Sequence, residues 1–471
     1  MDIFRKKTVE SLDGTAGKLN RTLGALDLTA LGVGAVIGTG IFVLTGVAAA
    51  MYAGPGLIIS FIIAALTCVL SALCYAEFAS TVPVSGSAYA YSYFVFGEII
   101  AWILGWDLIL EYGVAAATVA SGWSSYFTGF LDGFGLHLPA AISGAYDASK
   151  GSIIDLPAVL ITLAITYVLS KGTKKTARFN GIMVVVKMAV ILLFIGVGAF
   201  YVKPANWSPF LPFGFSGVIS GAATVFVAYI GFDAVSTAAE EVKRPQRDMP
   251  IGIIASLVIC TLLYIAVSLV LTGIVPYYSL NVGDPVAYAL RFMDKNFLAG
   301  FISIGAIAGM TTVLLVMLFG MTRLLFAISR DGLLTSKLST VSSKAQTPTK
   351  SIWVTGAIIA ILSGFVPLSK LASLTSIGSL FAFAVVSLGI IALRKSDLGK
   401  KSSFRVPWVP VIPLLSAAAC VYLMTNLHLF TWMGFLIWML IGLIIYFLYG
   451  KKHSLLNQNP VEKREHPERK L

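Results

Sequence analysis

Few residues in this chain can do chemistry, and most of those sit where lipid would offer them no partner. Lys187 lies inside Met183-Val-Val-Val-Lys187-Met-Ala-Val-Ile, with no interface within reach of its ammonium. A cation at the bilayer midplane costs at least about 2.5–3.5 kcal/mol on insertion scales, so it has to face a cavity or a partner. Such a lysine is a candidate proton carrier or a built-in replacement for a sodium ion. The structural alternative is a static ion pair between helices. Glu111, with Asp107 four residues before it, gives one helix an acidic stripe. Glu111 is the deeper of the two and is assigned to the pocket or a proton path, and Asp107 to structure. Asp233 follows a glycine-bearing break. It either joins the proton path or caps a half-helix, where the helix dipole favours a carboxylate.

Two short stretches would hold these groups. Ala35-Val36-Ile37-Gly38-Thr39-Gly40-Ile41-Phe42 interrupts an apolar run of about 26–51, long enough to cross a bilayer. Ala228-Tyr229-Ile230-Gly231-Phe232-Asp233 repeats its Ala-x-Ile-Gly pattern 193 positions later. Glycines weaken a helix, and matched interruptions in two spans point to a binding site made of broken helices. Backbone freed at membrane depth survives only where it lines a cavity. Half-helix ends suit a zwitterion, with its carboxylate at Thr39 and Gly40. Its ammonium would meet the carbonyls of Val36, Ile37, Phe226 and Ala228. The plainer alternative is that Gly38, Gly40 and Gly231 only let helices pack closely. Tyr229 and Phe226 either gate this pocket or simply pack. Gly32-x-Gly34 imitates a dinucleotide fingerprint, but no strand precedes it.

The chain that must position these residues has 471 residues, 57% of them hydrophobic and 12% charged. That composition excludes a soluble domain and defines an all-α polytopic membrane protein. Hydropathy places twelve spans at about 26–51, 56–79, 98–129, 155–170, 179–201, 215–242, 251–275, 297–329, 352–368, 373–394, 409–427 and 430–450. An aromatic stretch at 86–96 is too short to span. Of 34 Lys and Arg, 28 fall on one side and 5 on the other, with Lys187 left inside the membrane. The positive-inside rule then puts both termini in the cytoplasm, and it absorbs a net charge of +12 that would otherwise suggest nucleic acid. No cleavable signal peptide is expected, because the first twenty residues are polar. Pairing spans 1 and 6 gives two halves of five; an odd number inverts the second half. The expected division is a cytoplasmic segment 1–25, a transporter domain 26–450 and a basic tail 451–471. Within the domain, 26–201 and 215–394 are the repeats and 409–450 holds two extra helices. Cys68, Cys74, Cys260 and Cys420 all lie in apolar spans and read as buried hydrophobes, not metal ligands. No Gly-x₄-Gly-Lys-Ser/Thr occurs, so transport would be secondary. A membrane receptor should carry a soluble signalling domain, and a hydrolase a Ser/His or metal constellation; neither is present.

Several longer stretches are similar to one family. They are Gly38-Thr39-Gly40-Ile41-Phe42, Pro83-Val-Ser85-Gly86-Ser87-Ala-Tyr89-Ala-Tyr91 and Gly105-Trp106-Asp107-Leu-Ile-Leu-Glu111-Tyr112. Further on come Gly231-Phe232-Asp233, Glu240-Glu241-Val-Lys243-Arg-Pro245-Gln-Arg-Asp-Met-Pro250-Ile-Gly252 and Arg330-Asp331-Gly332-Leu333. From about Leu23 to Gly450 the chain resembles the amino acid–polyamine–organocation superfamily, in particular bacterial cationic amino acid transporters of the proton-coupled ApcT type. The resemblance implies the LeuT-type inverted repeat and proton-driven amino acid uptake. It also implies that Lys187 stands at the sodium position of sodium-coupled relatives, and that span 8 borders the side-chain pocket at Met317. A thioether there narrows the pocket and adds no acidic partner, so small neutral amino acids such as alanine are expected. An arginine or lysine uniporter and an amino acid exchanger are the alternatives. The expected partners are an L-amino acid, protons and membrane lipids, with no nucleic acid, sodium, metal or cofactor.

Overall fold

The computed structural model describes residues 4–6, 22–81, 87–149, 151–172, 176–233, 235, 242–342, 347–396 and 404–458. Regular structure is helical, with no named strand among the described residues. The helices are α1 (Ala25–Val36), α2 (40–53), α3 (Leu57–Thr81), α4 (Ser87–Val95) and α5 (Glu98–Asp132). Then come α6 (Leu156–Ser170), α7 (Thr176–Gly198), α8 (Gly214–Val225), α9 (Pro245–Ile274) and α10 (Pro285–Phe292). The last five are α11 (Asn296–Arg330), α12 (Thr349–Phe365), α13 (Leu368–Lys395), α14 (Val411–Thr425) and α15 (Leu429–Ile445). Among the described residues, seven helical stretches are long and apolar enough to cross a membrane, and five shorter apolar helices accompany them.

Local chemistry sets where the elements begin and end. Gly54, with φ +59°, and Pro55 separate α2 from α3; neither residue continues a helix there. Asp155 caps α6 by accepting from the Ala158 amide at 3.1 Å. Proline opens α9 and α10, where its missing N–H is no loss. The aromatic stretch expected at 86–96 is the short helix α4. The sixth span is expected over 215–242 with an interruption near Gly231. Regular α-helix stops at Val225 and a tight 3₁₀ turn runs over Phe226–Tyr229. Residues 234 and 236–241 lie outside the described ones, and with them Glu240 and Glu241.

The core is built around α5, 35 residues long and buried over most of its length, packed against α11 and α13. Helix α1 lies against α9. Outward-facing Leu, Ile and Phe side chains on α7, α14 and α15 are left for lipid. Glu77, buried on α3, is a structural anchor. Arg394 donates to it through Nε and Nη2, both at 2.9 Å, and the Val406 amide joins at 2.6 Å. A buried carboxylate held in this fork fixes α13 to α3.

Candidate functional site

The two glycine-bearing stretches singled out from sequence lie against each other. Helix α1 ends at Val36, Ile37 is extended (φ −75°, ψ 103°), and helical backbone resumes at Gly40. On the second strand of chain, Ile230 is extended and Gly231 has φ +115°, a conformation that favours glycine. A Cβ on Gly40 would lie 2.3 Å from the Ala228 Cβ and 2.5 Å from its Cα. One on Gly231 would lie 2.9 Å from the Ala35 carbonyl carbon and oxygen. Glycine here serves both readings at once: it permits the break and lets the two breaks cross.

Lys187 on α7 is fully buried, and its Nζ donates to the carbonyls of Gly34 and, at 3.0 Å, Ile37. Among the described residues no carboxylate pairs with it, so the ion pair weighed as the structural alternative is not formed there, and the ammonium instead caps the C-terminal end of α1. Tyr264 on α9 adds a donor that sequence reading missed. Its hydroxyl reaches the Val36 carbonyl at 3.1 Å and the Ala228 carbonyl at 2.6 Å. One hydroxyl proton thus serves an acceptor from each break. Three of the four carbonyls assigned to a substrate ammonium, those of Val36, Ile37 and Ala228, are therefore engaged by the protein's own donors.

Asp233 binds back onto its own break. Its Oδ1 accepts from the Gly231 amide at 3.2 Å, and its Oδ2 from the Tyr112 hydroxyl at 2.8 Å. Those bonds tie the carboxylate to the turn before it and to α5; the half-helix it was expected to cap lies outside the described residues. Glu111 and Asp107 are both fully buried, and none of their four oxygens has a hydrogen-bond partner among the described residues. They face Gly378 of α13, whose Cβ would lie 3.3 Å from the Asp107 Oδ1 and 3.7 Å from the Glu111 Cβ. Buried carboxyls left without partners are costly, and in membrane helices they mark ion or proton pathways.

Between the breaks, α5 and α11 lies a cavity of about 30 Å³, room for roughly one water. Of the residues singled out from sequence, Val36, Gly38, Thr39, Gly40, Ile230 and Met317 line it. Ile37, Phe226, Ala228, Tyr229 and Gly231 stand behind its wall. Phe226 packs on Phe383, and the Tyr229 hydroxyl donates to the Phe61 carbonyl at 3.0 Å. Ala35, Ala115, Thr118, Val119, Val227 and Val313 complete the lining and were not anticipated. A signal for part of that set existed. Residues 111, 115, 118 and 122 fall on one helix face, and Gly122 packs on Thr39, where its Cβ would lie 2.0 Å from the Thr39 Cγ2. Apart from backbone and the hydroxyls of Thr39 and Thr118, the lining is apolar and carries no charge.

A buried, uncharged cavity at two crossed helix breaks defines a solute carrier of the broken-helix kind. The sequence comparisons agree. Residues 23–449 match the amino acid permease family. The chain is 55% identical over 458 residues to the methylthioribose transporter of Bacillus subtilis, covering 97% of this chain and 99% of that protein. It is 54% identical over 462 residues to the branched-chain amino acid permease BcaP of the same organism, again covering 97% and 99%. It is 31% identical over 580 aligned positions to the vacuolar cationic amino acid transporter 4 of Arabidopsis thaliana, covering 97% and 96%. The chain belongs to the amino acid permease family, within the superfamily its motifs resemble, and its relatives are transporters, not enzymes.

Proposed function

We propose that this protein is a plasma-membrane symporter that imports small neutral L-amino acids together with protons, by alternating access about the two breaks. One observation carries the substrate class. The cavity offers helix-end backbone for a zwitterion, while the side-chain end at Ala115, Val119, Val313 and Met317 is apolar and free of carboxylates. An arginine or lysine side chain would find no anion there. A neutral aliphatic one needs no such partner, and the cavity, about 30 Å³ in this state, has to widen to admit any amino acid. The proposed topology has twelve spans with both termini cytoplasmic: two inverted five-span repeats, 26–201 and 215–394, and a final pair at 409–450. Coupling is assigned to Lys187, whose proton competes with substrate for the Ile37 carbonyl end. Glu111 serves as the carboxyl of the proton path on α5, and Asp233 holds the geometry of the second break. No sodium or other cofactor enters this scheme.

The test is radiolabelled alanine uptake into proteoliposomes with an inward proton gradient and no sodium. Leucine, arginine and methylthioribose serve as competitors; the last tests a sugar substrate like that named for the relative at 55% identity. Accumulation above equilibrium that collapses with a protonophore, and competition by alanine or leucine over arginine, is the expected result. Uptake that requires preloaded amino acid would make the protein an exchanger. Stronger competition by arginine or methylthioribose would overturn the substrate class.

A further inference from the structure

At the end of α5 remote from its Glu98 terminus, two neighbouring cavities share Gly129, Gly133 and Arg291. The first, about 400 Å³, is polar and includes Thr128, Asp132, Asp284 and Arg291 in its lining. The second, about 520 Å³, is largely apolar and runs along the first turns of α11. Phe297, Phe301 and Ile304 line it and are 85%, 51% and 53% exposed. Such exposure on a spanning helix means that the second cavity opens sideways onto hydrocarbon. Gly300 lies between them, and a Cβ placed on it would meet no atom within 4 Å. The result is a groove one side chain wide on the lipid face.

The polar cavity is built to hold charge. Arg291 donates to Asp284 through Nη2 alone, at 3.0 and 2.8 Å to the two oxygens. Its remaining guanidinium donors are left for an anionic oxygen. Asp132 is 46% exposed and shares one oxygen with His137 at 2.9 Å. The Thr128 hydroxyl is buried with no hydrogen-bond partner among the described residues. Two carboxylates against one guanidinium leave the cavity with net negative charge while His137 is neutral. A purely anionic headgroup is therefore disfavoured, and one that adds an ammonium is favoured.

We propose that these joined cavities bind one zwitterionic phospholipid with a primary ammonium, of the phosphatidylethanolamine type. Its phosphate meets Arg291, its ammonium meets Asp132, and one acyl chain lies in the groove at Gly300. In the proposed topology this is an outer-leaflet lipid, bound at a place separate from the central cavity.

Native mass spectrometry of the purified full chain tests this, after delipidation and separate titration with phosphatidylethanolamine, phosphatidylglycerol and leucine. One tightly retained phosphatidylethanolamine is expected. Arg291→Gln should lower its occupancy about tenfold, the loss of a charge-assisted hydrogen bond. Gly300→Leu should do the same by filling the groove, and because it projects into open space it leaves the fold intact. Asp132→Asn should raise phosphatidylglycerol relative to phosphatidylethanolamine. Leucine binding should be unaffected by all three variants. Equal retention of both lipids that none of the variants changes would overturn the proposal. So would leucine displacing the lipid, which would make this an amino acid site instead.

Discussion

The two helix breaks look alike in sequence and are stabilised in opposite ways. At the first, the exposed ends are carbonyls of α1, and a buried cation, Lys187, supplies donors to Gly34 and Ile37. At the second, a buried anion, Asp233, accepts from the Gly231 amide and is tethered by Tyr112. The Tyr264 hydroxyl donates to both, through Val36 and Ala228. The difference follows from polarity. A helix C-terminus presents acceptors and calls for a donor, whereas an extended turn at Gly231 presents an N–H and calls for an acceptor. Only the first of these can trade its donor for a substrate ammonium, because both are cations competing for carbonyl oxygen. Coupling is therefore expected to reside in the first break and geometry in the second.

The bluntest way to break the comparison is to force the breaks apart. Gly40→Val would put branched atoms into Ala228, where even a Cβ is at 2.3 Å. Alanine uptake should fall to background while the protein still elutes as a monodisperse species, since the clash is confined to the crossing. Wild-type uptake would mean that the breaks do not hold this crossing during transport. Lys187→Met comes next and separates coupling from binding. It leaves the Gly34 and Ile37 carbonyls without a donor, at about 1–3 kcal/mol each. Proton-driven accumulation should be lost, while alanine counterflow persists at a reduced rate. Unchanged accumulation would reduce Lys187 to a structural cation.

These expectations rest on a site that was only partly legible beforehand. That the chain is built of long apolar helices followed from apolar run length, which depends on composition alone and survives any packing arrangement. The glycines of both breaks and Lys187 also stood out, because each violates a local rule in a lipid environment. Tyr264 did not, since a tyrosine in an apolar span looks like ordinary packing until the carbonyls near it are known. Ala115, Val119 and Val313 were invisible for the same reason: apolar residues lining a cavity and apolar residues filling a core are one class in sequence. The engaged state of the Val36 and Ala228 carbonyls is a tertiary fact that no spacing encodes.

Asp233→Asn sharpens the second half of the comparison and should cost less. The side-chain oxygen of Asn can still accept from Gly231 or from Tyr112, but no longer with a charge. Alanine uptake should fall about fivefold, equivalent to roughly 1 kcal/mol, with the dependence on the proton gradient retained. Asp233→Ala should fall further, because Gly231 then loses its acceptor altogether. If Asp233→Asn instead abolishes the proton dependence, the carboxyl carries the coupling and the division between the two breaks fails.

The smallest effect belongs to a pair of charges that water can reach. Arg291 and Asp284 repeat the opposition of cation and anion at the edge of the molecule, in the connection that precedes α11. Burial pushes the Asp284 carboxyl above the usual carboxylate range, and the neighbouring Arg291 only partly offsets this. A carboxyl whose folded-state affinity for protons exceeds its unfolded one binds more protons when folded. The segment is then most stable below the ordinary Asp range and loses stability as pH rises through the raised value, with no further change above it. Hydrogen exchange over 280–292 should show amide opening becoming easier across that window, once intrinsic exchange is corrected for. Asp284→Asn should flatten the profile, because the amide cannot titrate and still accepts from Arg291. Arg291→Gln should move the window upward, since the group that holds the proton affinity down is gone. A profile that rises with pH would mean that the ion pair outweighs burial. This edge would then resemble the second break, where an anion is held by its partners, rather than a carboxyl strained by its surroundings.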